Sequence, residues 1–70
     1  MTKHELKDLG FRAGVAYQYF DPSLYLTLGE YLRRVAKDHQ LHGPAARQTL
    51  RQAATLGIWA ATTKVVLPYY

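Results

Sequence analysis

Proline punctuates this chain at two internal places, Asp21-Pro22 and His42-Gly43-Pro44, and these two breaks fix how many elements it can form. Proline has no amide proton, locks its own φ and pushes the preceding residue out of the helical region, so no helix runs cleanly through either site. Pro44 is nonetheless suited to the first turn of a following helix, where its missing N–H would lack a partner anyway. The chain is thereby divided into three segments, and each carries an apolar pattern of helical period.

In the first segment, Leu6, Leu9, Ala13, Ala16, Tyr17 and Phe20 recur at spacings of three and four, which predicts a helix over Lys3 to Phe20. Phe11, Val15 and Tyr19 form a second apolar strip on another side, expected to face a partner protein or a second copy of the chain. Gly10 and Gly14 stand four apart on this helix. They would permit close backbone approach, but each costs an exposed helix about 1 kcal/mol relative to alanine, and loose packing near Phe11 is the expectation.

Two starts compete for the second helix: Asp21 as cap with Pro22 in the first turn, or Thr27 as cap with Glu30 three residues on. Thr27 is preferred, because it leaves Gly29 in the first turn and frees Leu24-Tyr25-Leu26 to be extended. From Leu28 to Gln40 the buried stripe is Tyr31, Leu32, Val35, Ala36 and His39, with Arg33, Arg34, Lys37 and Asp38 facing away. After the His42-Gly43-Pro44 turn, a third helix over Ala45 to Leu56 buries Ala46, Leu50, Ala53 and Ala54. It leaves Arg47, Gln48, Arg51 and Thr55 outside.

Beyond Gly57 the residues become β-branched and aromatic, in Ile58-Trp59, Thr62-Thr63 and Val65-Val66-Leu67. The expected fold is mainly α, a three-helix helix-turn-helix core with a small C-terminal β-hairpin like a wing. The alternative is an all-α chain whose third helix continues past Gly57 to about Lys64. Either way the 70 residues form a single domain, and a chain this short buries only about 60% of the surface its unfolded form exposes. With no cysteine it has neither disulfide nor sulfur-ligated zinc to supplement that core.

The net charge of +4 is unevenly placed. Met1 to Asp38 carries six basic and five acidic residues, whereas His39 to Tyr70 carries Arg47, Arg51 and Lys64 and no acid. A one-signed field of this kind attracts phosphate or anionic lipid. Two short helices joined by a glycine-containing turn, the second exposing arginine and glutamine, match the arrangement that reads DNA in the major groove. Arginine can make paired hydrogen bonds to guanine and glutamine to adenine. Arg47, Gln48 and Arg51 are thus the candidate base contacts, and Arg33, Arg34, Lys37 and Lys64 the candidate phosphate contacts.

The segment from Val35 to Trp59 resembles the helix-turn-helix of bacterial winged-helix regulators of the GntR type. Ala36, Leu41, Arg47, Leu50, Arg51, Gly57, Ile58 and Trp59 fall on that family's pattern without a gap, and Leu26-Thr27-Leu28-Gly29-Glu30 resembles its lead-in to the second helix. The resemblance implies a DNA-binding fold with a wing after Gly57. The chain has His39 and Gln40 where the family has leucine and glycine, His42-Gly43-Pro44 where it has Ser-Arg-Thr, and only Lys64 toward the wing tip.

Catalysis finds no foothold. Paired carboxylates, a nucleophile beside a base and a Gly-rich phosphate loop are all missing, so the chain is expected to be no enzyme, to need no cofactor and to take no small-molecule substrate. His39 and His42 are three apart, a spacing that chance explains better than a metal site. The charged start, with Lys3, Glu5, Lys7 and Asp8, does not read as a signal peptide, which makes the cytoplasm the default location. Exposed tyrosines, with Trp59, support a second function: a helical adaptor docking on a larger assembly, at a membrane face among other places. The partners expected are therefore double-stranded DNA, or else a second copy or a larger protein.

Overall fold

A computed structural model of the chain describes residues 1–19 and 25–63. Three helices account for most of them: α1 (Lys3–Tyr19), α2 (Leu28–Asp38) and α3 (Pro44–Thr62). The expectations placed on Phe20, Asp21-Pro22, Leu24, Lys64 and Val65-Val66-Leu67 lie outside the described residues.

Helix α2 begins where its cap chemistry allows. The Thr27 hydroxyl accepts the Glu30 amide at 3.2 Å and donates to the Glu30 carboxylate at 3.0 Å, so the Thr27 start prevails. Its other end closes in a Schellman motif, with the Gln40 amide donating to Lys37 O at 3.1 Å and the Leu41 amide to Ala36 O at 2.8 Å. The motif puts Gln40 at a φ of 54°, in the left-handed region. This is the position where the resembled family carries glycine, and glutamine holds it at a cost of about 1–2 kcal/mol. Gly43, at a φ of 92°, then turns the chain into α3, with Pro44 in the first helical turn.

Helix α3 overturns the expected wing. Ile58, Trp59 and Thr62 are helical, so the first hairpin strand, at Ile58-Trp59, and the turn placed around Ala61 to Thr63 are helix and helix cap instead, and among the described residues the all-α alternative with a long third helix fits. Strand propensity loses here to packing. The Thr55, Thr62 and Thr63 hydroxyls donate to the carbonyls of Arg51, Ile58 and Trp59, one turn back, which satisfies them within the helix. Ala60 and Ala61 are buried against Val15, with Phe11 alongside.

Gly57 does not break α3, because it is a contact point. A Cβ there would collide with the carbonyl oxygen of Phe11 on α1, and one at Gly14 would collide with the backbone of Ala54. At Gly10 it would lie 2.6 Å from Leu50 O and 2.7 Å from the Ala53 Cβ. Loose packing near Phe11 is therefore corrected to its opposite: α1 and α3 touch backbone to backbone through three glycines. Since Gly10 meets Leu50 and Ala53, Gly14 meets Ala54, and Val15 meets Ala60 and Ala61, the two helices run parallel.

Helix α2 closes the core from one side. Leu32 and Ala36 join Leu6 and Ala13 of α1 and Leu50 and Ala54 of α3, with Tyr31, Val35 and Leu41 packed around them. Tyr17 of α1 donates to Leu26 O at 2.8 Å and packs its ring at a tilt of 42° on Tyr31, with centroids 5.4 Å apart, which fixes the approach to α2. Burial pushes the Tyr31 phenol above its ordinary pKa.

Candidate nucleic-acid interface

Arg47, Gln48 and Arg51 lie on the exposed side of α3, at i, i+1 and i+4, because Leu50, Ala53 and Ala54 turn the opposite side into the core. Across from them stands α2. Between the two helices is a cleft of about 310 Å³ lined by Arg33 from α2 and by Arg47, Gln48 and Arg51 from α3, with Leu32, Ala36 and Leu50 as its apolar floor. The fold thus brings three cations and one amide to a single concavity, and no carboxylate among the described residues lines it. None of the three arginines forms an ion pair among the described residues, where Arg12 pairs with Asp8 at 3.2 Å.

Of the other candidate phosphate contacts, Arg34 and Lys37 are exposed on α2 but do not line this cleft, and Lys64 lies outside the described residues. The arrangement is chemically simple. Guanidinium groups remain charged at any physiological pH and present planar forks of donors to phosphate or to base edges.

The proposed partner strip on α1 needs correction. Val15 is 2% exposed, because α3 continues past Gly57 and covers it, and Phe11 is half-buried by the same helix. Tyr19 alone of the three stays open, at 56% exposure. The strip that predicts a second chain has its partner within this one. Large apolar exposure lies elsewhere, at Leu56 (60%) and Trp59 (62%) on α3.

His39 places Nδ1 3.1 Å from Val35 O, and no three acidic or histidine side chains gather among the described residues. Among those residues no helix is long and apolar enough to cross a membrane. Reading by residue type missed the glycine contact, for which a signal did exist. Small residues repeat at intervals of four on both helices, as Gly10 and Gly14 and as Ala53, Gly57 and Ala61.

Comparison with known proteins finds no match: no family model, no curated protein and no solved structure is significantly similar to the chain. The likeness to GntR-type domains rests on sequence alone, and the helix through Ile58 and Trp59 departs from the wing that it implies.

Proposed function

We propose that the chain is a small DNA-binding protein of the regulatory or architectural kind, with α3 seated in the major groove. Arg47, Gln48 and Arg51 face base edges, and Arg33 holds a phosphate at the mouth of the α2–α3 cleft. The observation that carries this reading is the convergence of three arginines and a glutamine, from two helices, on a concavity where, among the described residues, no acid pairs with them. The test is duplex binding at two salt concentrations by wild type and by R47A/R51A. The double variant should lose binding at both concentrations while keeping its melting temperature, since both side chains are exposed. Equal binding by the variant would reject the assignment.

A second reading has its own support. Helix α3 runs unbroken to Thr62 and leaves Leu56 and Trp59 in solvent, as a helical adaptor docking on a larger protein would require. Absence of duplex binding by the wild-type chain, together with a partner lost on Trp59→Ala, would favour this reading over the first.

A further inference from the structure

Neighbouring residues of α3 drain to opposite sides. Gln48 and Arg51 line the cleft toward α2, whereas Thr49 and Gln52, the residue after each, line a separate groove of about 520 Å³ toward α1. The exposed face of the amino-terminal half of α3 is therefore a ridge with a trough along each flank, while Leu50 and Ala53 hold its inner face in the core. Both troughs are cationic. The α2 side has Arg33, and the α1 side has Lys3 and Lys7 with His4.

The α1 trough also contains one carboxylate, Asp8, and it is held 3.2 Å from the Arg12 guanidinium one turn on. Glu5, the other acid of α1, is not in the trough; it accepts the Thr2 amide at 3.1 Å at the helix start. The two lysines have no carboxylate within ion-pairing distance among the described residues.

We infer that Lys3 and Lys7 of α1 form a second phosphate-binding flank, which grips the DNA strand on the side of α3 opposite Arg33. The inference rests on the DNA-binding reading above and adds a site to it. A B-form major groove is about 12 Å wide, close to the diameter of one helix with its side chains, so a helix lying in it has a phosphate backbone along each side. A ridge with cations on one flank would reach one backbone; this ridge has them on both.

The experiment measures affinity for a short mixed-sequence duplex across a salt series, using the whole chain without an amino-terminal tag. Each phosphate contact contributes about 0.9 to the slope of log K against log salt, so K3Q/K7Q should lower the slope by about 2. K3R/K7R should restore it. Gln18→Glu combined with Thr62→Glu removes the same two units of net charge at the far end of both helices, and should leave the slope in place.

If K3Q/K7Q keeps the wild-type slope, or if the distant pair lowers it equally, the second flank is overturned while R47A/R51A can still uphold DNA binding. A wild-type chain that binds no duplex overturns both. Melting curves for every variant show whether each is folded: the lysine replacements, exposed at the positive end of α1, should not lower the midpoint, and the two glutamates, at the negative ends of α1 and α3, should lower it slightly without unfolding the chain.

Discussion

The two ways in which helices are joined here differ in kind. Between α1 and α3 the contact is backbone on backbone at Gly10, Gly14 and Gly57, with Ala53, Ala54, Ala60 and Ala61 around them, and Val15 and Leu50 are the largest side chains sealed beside it. Helix α2 is attached by side chains instead: Leu32 and Ala36 enter the core, Tyr31 packs against Tyr17, and each end is closed by specific hydrogen bonds. The first joint depends on nothing being added, and the second on nothing being removed. Mutation should therefore injure them by opposite routes, one by excess volume and the other by a cavity.

The largest effect should come from enlarging the close joint. Gly14→Leu would drive a side chain into the Ala54 backbone, and a cost of about 3 kcal/mol or more is comparable with the whole stability of a domain this small. Circular dichroism should show the helical signal largely lost at room temperature. A variant that melts like wild type would mean that α1 and α3 do not approach as described.

Leu32→Ala should rank next, at about 2–5 kcal/mol for a buried leucine. Its sharper readout is hydrogen exchange. Amides of α2 should lose protection before those of α1 and α3, and a uniform loss would show that the two joints melt as one unit.

The smallest effect has the opposite sign. Gln40→Gly should stabilise the chain by about 1 kcal/mol by relieving the left-handed φ, read as a higher denaturant midpoint. No gain, or a loss, would break the account of how α2 ends.

These joints also differ in how far they could be read from sequence. The attachment of α2 is written in local signals: Thr27 with Glu30, a stripe through Leu32 and Ala36, and Pro44 after the turn. The α1–α3 joint is not local. A glycine at position 57 looks the same whether it ends a helix or receives another backbone, and the choice is made by Phe11, 46 residues earlier in the chain. The same ambiguity made Ile58 and Trp59 look like the opening of a strand, and it made Val15 look like a surface for another molecule. The basic side of α3 was legible because it needs only helical spacing, whereas the lysines across the α1 groove become its neighbours only once the glycines have brought the helices together.

Parallel alignment gives the α1–α3 pair an electrical polarity. Every formal charge on the two helices falls toward their amino-terminal ends, from Lys3 to Arg12 and at Arg47 and Arg51, while Ala13 to Tyr19 and Gln52 to Thr62 carry none. The peptide dipoles of both helices point the same way and place their positive poles at that same end. In the field of a polyanion such a pair experiences a torque as well as an attraction, and it turns its charged end forward before any atoms meet.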